Sequence, residues 1–179
     1  MKTLKKTNIL AFVLTVLVFS CKEYKTSNVE NSNDQVSGKA LAKKDSKITF
    51  NSSDAGDIFD RYIQLRNALI ESDAEKASKA AMEFDSIEGG DYGKINEVAL
   101  LIGASDELES QRLLFSELTT LVEPVIKDQL VGGAVYKQYC PMAFNNNGAS
   151  WLSAESVIRN PYFGSKMLNC GKITETFTE

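Results

Sequence analysis

The sequence has 179 residues and no histidine, and its 20 lysines and arginines against 24 aspartates and glutamates give a net charge of −4 at neutral pH. This acidic balance argues against nucleic-acid binding, because binding to a phosphate backbone depends on basic surfaces. Without histidine, neither a Ser–His nor a Cys–His nucleophile is available, and no imidazole can bind zinc. We therefore expect a protein that is not an enzyme.

The first twenty residues have the pattern of an export signal. Three lysines, Lys2, Lys5 and Lys6, precede an apolar run at residues 9–20. This run is too short to span a membrane, which requires a helix of about 20 apolar residues. The run ends in LVFS before Cys21, which resembles the site cut by lipoprotein signal peptidase. Residues 1–20 are then a signal peptide, and Cys21 carries the lipid anchor. The alternative is an ordinary secretory signal that is cleaved nearby.

Removal of the signal makes the chain more acidic. Three lysines leave with residues 1–20, so 17 basic residues face 24 acidic ones and the net charge becomes −7. Such a chain has little attraction for anionic lipid, and the lipid anchor is the only membrane contact that we expect. The predicted location is the cell envelope, facing the periplasm, where Cys140 and Cys170 would remain as two cysteines in an oxidising compartment.

The remaining chain divides by composition into a tether and one domain. Residues 21–53 are rich in Lys, Ser, Asn and Asp without an apolar period, which predicts a lipidated flexible tether. Residues 54–179 are long enough for a single domain with a modest core. This is the expected folded part.

Apolar residues recur at helical spacing through residues 54–130, in four successive segments. The first follows Ile58, Tyr62, Leu65 and Leu69. The second has Asp73 as its expected N-cap and ends at EGGD, 88–91. A third passes through 95–102, and a fourth begins near 105 or 106 and is expected to kink or end at Pro124. The prediction is a mostly α fold, a four-helix antiparallel bundle.

The composition changes after residue 133. Residues 136–163 hold six of the 16 aromatic residues, and NNNG (145–148) and NP (160–161) favour turns. We therefore expect residues 131–173 to form a loop-rich Cys/Met module that caps the bundle through its aromatic side chains. Within it, VYKQY (135–139) predicts a short strand, a candidate arm of a β-hairpin. SAESVIRN (153–160) predicts a helical turn capped by Ser153.

Four sulfur-bearing residues lie in this module: Cys140, Met142, Met167 and Cys170. Thiolates and thioethers are soft donors, which select Cu(I), whereas zinc would favour imidazole or four thiolates and hard cations would favour oxygen. These four residues are thus candidate metal ligands for Cu(I). The alternative is a disulfide between the two cysteines, which would stabilise the fold by about 3–4 kcal/mol. The methionines would then be packing residues.

Several motifs resemble a known bacterial domain of unknown function. The densest matches are Cys-Pro-Met-Ala, Gly-Ala-x-Trp-Leu, Asn-Pro-Tyr-Phe-Gly and Met-Leu-x-Cys-Gly, and the helical stretches ALIESDAEKASKAA and QRLLFSELTTLV resemble it more diffusely. The resemblance covers most of residues 57–173. That domain occurs in small Gram-negative lipoproteins and at the C-terminal end of some heavy-metal efflux adaptor subunits. The resemblance implies a periplasmic metal-handling role and the same four sulfur ligands.

Two functions are therefore expected from the sequence. The first is an envelope lipoprotein that binds Cu(I) or a similar soft metal, in copper handling or efflux, with an envelope efflux or copper-transfer protein as partner. The second is a disulfide-stapled protein-interaction domain of an envelope complex that binds no metal. The methionines distinguish them, because a disulfide needs only Cys140 and Cys170.

The lipid anchor gives the first testable prediction. A Cys21→Ser variant should lose partitioning into the detergent phase, because it removes the atom that carries the acyl chains. The measurement is a detergent-phase partitioning assay on cell extracts. If the variant stays membrane-bound with its signal cleaved elsewhere, the lipoprotein interpretation is wrong.

Overall fold

A computed structural model describes residues 47–87 and 92–179. The expected signal peptide, the anchor at Cys21 and the EGGD segment lie outside these ranges. So does the expected tether up to residue 46. Both described ranges belong to the same structural unit.

Four helices follow one another in the described chain. They are α1 (Ser53–Glu71), α2 (Ala74–Met82), α3 (Gly93–Gly103) and α4 (Leu108–Gln129). A short 3₁₀ turn, Glu83–Ser86, follows α2. The prediction of a mostly helical protein is confirmed, and each predicted segment falls on one of these helices.

Local capping sets the boundary between α1 and α2. The helix α1 starts after Ser52, whose hydroxyl accepts a hydrogen bond from the Ala55 amide at 3.1 Å. It ends at Ser72, which adopts the left-handed conformation (φ 59°) common at helix ends. The predicted N-cap of α2 is confirmed, since the Asp73 carboxylate accepts from the Lys76 amide at 2.9 Å.

Each helix packs on the next in chain order, and α4 also packs on α1. The shared core contains apolar residues at helical spacing that are fully buried: Ile58, Leu65, Leu69, Ala77, Ala81, Phe84, Ala99, Ile102, Phe115, Leu118, Val122 and Ile126. These contacts are what an amphipathic helix needs in order to bury its apolar face. The antiparallel bundle itself stays a prediction.

Of the two outcomes expected at Pro124, a kink or an end of the helix, the second does not occur, because α4 does not end there. The helix continues to Gln129, although proline lacks the amide hydrogen that would bond to the carbonyl four residues earlier. Val122 and Ile126 lie on either side of the proline and are fully buried. Their burial offsets the missing hydrogen bond and keeps the chain helical.

The described chain also contains five short strands, a single helical turn at Ala143–Asn146 and a 3₁₀ turn at Gly164–Met167. The strands are β1 (Thr49–Phe50), β2 (Leu130–Gly132), β3 (Ala134–Cys140), β4 (Ala149–Ser153) and β5 (Lys172–Thr178). The strands β1 and β2 form an antiparallel pair, and a second antiparallel sheet has the order β4–β3–β5. Because β1 lies within the stretch expected to be a tether, the folded region begins no later than Thr49.

The strand predicted at residues 135–139 is confirmed as β3, and β3 and β4 form the two arms of an antiparallel hairpin with a long connection. The predicted helical turn at 153–160 is wrong. Ser153 ends β4, and the residues after it form bends without a helix. The Ser153 hydroxyl accepts a hydrogen bond from the Glu155 amide at 3.0 Å, as a helix cap would. No helix follows it.

A buried hydroxyl connects the helices to the sheet. Tyr62 on α1 accepts a hydrogen bond from the Leu152 amide of β4 at 3.0 Å, and its oxygen lies 2.7 Å from Thr119 Oγ1 on α4. Thr119 donates in turn to the Phe115 carbonyl at 2.9 Å, so Tyr62 must donate to Thr119. Burial raises the pKa of Tyr62 far above its ordinary value, so the phenol stays protonated and this direction is fixed.

Replacing Tyr62 by phenylalanine tests this link. The change keeps the ring but leaves the buried Leu152 amide without an acceptor, which should lower the free energy of unfolding by about 1–3 kcal/mol. The measurement is the midpoint of urea unfolding at unchanged slope. Tyr136→Phe is the matched control, because its partly exposed hydroxyl has no bond to any described residue. Equal effects of the two changes would contradict the proposed role of Tyr62.

Candidate functional site around two adjacent cysteines

The structure brings Cys140 and Cys170 into direct contact. Cys140 ends β3 and is fully buried, whereas Cys170 is partly exposed and directly precedes Gly171 and β5. The pairing of β3 with β5 places Tyr139 opposite Lys172, so the residues that flank this pair meet at the same end of the sheet. Both cysteines are free thiols, with their sulfur atoms 2.9 Å apart.

Asn160 holds the segment that carries Cys170. Its side-chain amide donates to the Cys170 carbonyl at 2.7 Å, and its side-chain oxygen accepts from the amides of Tyr162 (2.8 Å) and Phe163 (3.3 Å). Its own backbone amide donates to the Leu168 carbonyl at 2.8 Å. Asn160 is fully buried, so these bonds fix the loop without competition from water. The NP pattern predicts only a turn, and the asparagine in it is the signal in the sequence for this set of hydrogen bonds.

Glycine is required next to Cys170. Gly171 has a φ of 150°, and a Cβ atom there would lie 2.8 Å from Trp151 Cη2 and 3.0 Å from the Tyr139 carbonyl oxygen. Real side chains do not approach that closely, so the indole ring packs directly on the backbone beside the thiol. Trp151 is therefore part of the wall of the sulfur site.

Aromatic rings connect this wall to the helices. The Tyr162 ring contacts Trp151 (centroids 5.9 Å apart), Phe144 (5.3 Å) and Phe115 of α4 (6.1 Å). Edge and tilted contacts of this kind are the favourable arrangements for aromatic pairs. Tyr162 packs against the helices as expected, through Phe115 of α4, and Trp151 is buried next to Tyr162.

The two methionines take no part in the sulfur–sulfur contact. Met142 is 46% exposed and lies at a cleft of about 400 Å³ that Glu109, Phe144 and Phe163 also line. Met167 is partly buried at the end of the 3₁₀ turn Gly164–Met167, and its carbonyl accepts the Cys170 amide at 3.0 Å. Their role as ligands stays a prediction.

A left-handed turn separates β3 from β4. Phe144, Asn145 and Asn146 all have positive φ (50°, 57° and 70°). Asparagine tolerates this conformation, but an aromatic side chain is strained there, at a cost of about 1–3 kcal/mol. The turn closes at Gly148, where a Cβ atom would lie 1.9 Å from the Tyr139 hydroxyl oxygen. The sequence predicted a turn at 145–148 but gave no sign of the strain at Phe144.

The environment of Cys170 keeps its thiol protonated. The hydrogen-bonding contact with Cys140 and, next, burial raise the pKa of Cys170 to about 11. At neutral pH the thiol is therefore in the neutral form, and any metal ion must displace a proton from it. Among residues 47–87 and 92–179, no three His, Cys, Asp or Glu side chains are grouped so as to hold a metal ion.

Comparison with known proteins gives one match. The family described as "Protein of unknown function (DUF3347)" matches residues 58–131, less than half of the chain. This stretch covers most of α1, all of α2, α3 and α4, and the start of β2, and it stops before the segment with the two cysteines. The similarity supports the expected resemblance to a domain of unknown function. Its connection with lipoproteins and efflux adaptors stays a prediction.

No curated protein and no solved structure matches the chain. Within the described ranges, no helix combines the length and apolar character needed to cross a membrane.

Trp151 offers a direct test of the wall. Trp151→Ala should lower the free energy of unfolding by about 3–5 kcal/mol, because it empties a fully buried site. The remaining folded molecules should also react faster with a thiol-alkylating reagent at Cys170. Urea unfolding and timed alkylation measure the two effects. Val157→Ala, at an exposed position in the segment after β4, is the control and should change neither the free energy of unfolding nor the alkylation rate. A native fluorescence spectrum typical of exposed tryptophan would contradict the burial of this ring.

Proposed function

We propose that the chain is an envelope lipoprotein that binds Cu(I), or a similar soft metal ion, through Cys140 and Cys170. The observation that carries this proposal is the 2.9 Å contact between two thiol sulfurs that lie 30 residues apart in the sequence. Thiolates are soft donors that select Cu(I), and the sequence contains no histidine that would favour zinc. Met142 and Met167 are the proposed additional donors.

In this proposal the four helices form an antiparallel bundle, and residues 131–173 form the cap that carries the ligands. The contacts between successive helices support the bundle. The packing of Tyr162 against Phe115 supports the cap. An apolar wall of this kind would limit the access of water and oxidants to a bound metal.

Metal binding requires a small rearrangement of the two thiols. The two sulfurs are 2.9 Å apart, which is closer than two thiolates that hold one metal ion would lie, so the sulfurs would have to separate on binding. Cys140 is fixed in β3 and buried, whereas Cys170 is partly exposed on a loop. We therefore expect Cys170, rather than Cys140, to move when a metal ion binds.

The same contact favours a second candidate function. Two thiols this close can lose two protons and two electrons to an oxidant and form a disulfide. Closure of this loop would stabilise the domain by about 3–4 kcal/mol. The protein would then be a disulfide-stapled interaction domain of an envelope complex. The two functions can belong to one protein. Its oxidised form would contain the disulfide and no metal ion, and its reduced form would bind the metal ion.

The proposed setting is the periplasmic side of the cell envelope, with Cys21 as the lipid-bearing residue. The partner in copper handling or efflux would be an envelope efflux or copper-transfer protein that exchanges the metal ion. We assign no catalytic residue and no nucleic-acid contact. These assignments rest on the absence of histidine and on the acidic balance of the sequence.

Cu(I) binding is the decisive measurement. Reduced protein should bind one Cu(I) and should bind neither Mg²⁺ nor Ca²⁺, which need oxygen ligands. The raised pKa of Cys170 keeps a proton on its thiol, and Cu(I) must displace this proton. The affinity for Cu(I) should therefore increase with pH up to about pH 11. Cys140→Ser and Cys170→Ser should each abolish binding. Competition against a colorimetric Cu(I) chelator measures these affinities.

The methionines are tested with a matched control. Met142→Leu and Met167→Leu keep size and apolarity, so at least one should weaken Cu(I) binding with little loss of stability. Met82→Leu, at an exposed position on α2, should have no effect. If both methionine variants bind like wild type, the four-sulfur site is wrong. If reduced wild type does not compete for Cu(I), the disulfide function remains.

A further inference from the structure

Two arginines on the helices are buried to similar extents, but their surroundings differ. Arg112 on α4 is 4% exposed and donates to the Pro161 carbonyl, the Ser72 hydroxyl and the Glu109 carboxylate at 2.7–3.0 Å. Arg66 on α1 is 2% exposed, and its Nε atom is buried without a hydrogen-bond partner in the described chain. Within residues 47–87 and 92–179, Arg66 forms no hydrogen bond or ion pair.

An unpaired buried guanidinium is unfavourable. Removing a charge from water costs several kcal/mol unless hydrogen bonds and an opposite charge compensate it. Arg112 is compensated in this way and serves to join three segments. Arg66 has no such structural role among the described residues, so its burial calls for a group that residues 47–87 and 92–179 do not provide.

Arg66 lines a cleft of about 190 Å³ between α1 and the segment after β4. A second arginine, Arg159, lines the same cleft, together with Asn67, Glu71 and Glu155. Glu71 is paired with Lys76 at 2.8 Å. Burial lowers the pKa of the Arg66 guanidinium, and repulsion from the Arg159 guanidinium lowers it slightly further. Glu155 is an attractive charge for Arg66, but it lies beyond ion-pair distance.

The segment that carries Arg159 is held in place at both ends. The buried Gln138 side chain donates to the carbonyls of Glu155 (2.9 Å) and Val157 (3.2 Å). The Ser153 hydroxyl bonds to both the amide and the carbonyl of Glu155. On the other side, Asn160 is fixed by the bonds described above. The cleft is therefore formed by ordered backbone, and Arg159 is positioned on it.

We propose that Arg66 and Arg159 bind a small oxyanion, a phosphate or carboxylate group, in this cleft. Guanidinium groups present paired N–H donors that match the oxygens of either group. A cleft of 190 Å³ is smaller than the about 300–1,000 Å³ of pockets for drug-sized ligands. It holds a single anionic group with a few waters, rather than a nucleotide. This site is separate from the cysteines, and the proposal does not depend on Cu(I) binding.

Inorganic phosphate and acetate are the probes, and oxidised, metal-free protein is the sample. Phosphate at tenfold excess over its dissociation constant should raise the melting temperature by about 3–6 °C at constant ionic strength. Sodium chloride at the same ionic strength controls for screening. A larger effect of phosphate than of acetate identifies a phosphate site, and the reverse identifies a carboxylate site. No shift with either probe would overturn the proposal.

Variants assign the effect to the two arginines. Arg159→Gln should weaken binding at least tenfold in calorimetric titration, and it alters an exposed side chain that the fold does not need. Arg66→Met should abolish binding and should not lower the melting temperature without anion, because it removes an uncompensated charge. Glu155→Gln should strengthen binding, since it removes a competing carboxylate. Lys94→Gln, an exposed charge on α3, should change nothing. Wild-type affinity in Arg159→Gln would contradict the site.

Discussion

The hydroxyl group of Tyr62 is the interaction on which the rest of the structure depends. It is fully buried, and it accepts from β4 and donates to α4 while its own ring belongs to α1. Each donor in this series of hydrogen bonds has one acceptor. The helices α1 and α4 and the strand β4 can therefore meet in only one arrangement. Because β3 pairs with β4 and β5 pairs with β3, the position of β4 also determines where the ends of β3 and β5 lie. Cys140 at the end of β3 and Cys170 just before β5 meet at one end of this sheet.

A second polar connection supports the loop that leads to Cys170. Arg112 reaches from α4 to the Ser72 hydroxyl at the end of α1 and to the Pro161 carbonyl. Asn160, next to that proline, then bonds to the Cys170 carbonyl. This succession of directional bonds leads from the helices to the sulfur pair. Apolar packing alone would leave the loop free to slide, whereas hydrogen bonds in a water-excluded interior fix its position.

The two proposed sites use opposite chemistry in one small domain. The raised pKa of Cys170 keeps its thiol neutral at neutral pH, and the soft sulfur donors would favour a soft cation after loss of protons. The cleft at Arg66 contains two arginines and two glutamates, and no anionic side chain of the described residues lies within ion-pair distance of Arg66. Both depend on the segment after β4, since Arg159 and Asn160 are neighbours within it. A ligand in the cleft would hold this segment, and through Asn160 it would restrict the loop that carries Cys170.

The sequence alone determined the helices and the candidate ligands, because the information for both is local. Apolar spacing placed α1 to α4, and Asp73 marked the start of α2, since caps and helical periodicity involve residues three or four apart. The sequence also named the two cysteines, but it could not choose between a metal site and a disulfide. Only the tertiary structure decided that β1 joins the fold, that α4 continues past Pro124, and that Arg66 is buried without a partner among the residues that the structure describes. These features depend on contacts between distant residues, such as the bond between Tyr62 and Leu152 across 90 positions, and no local pattern encodes them.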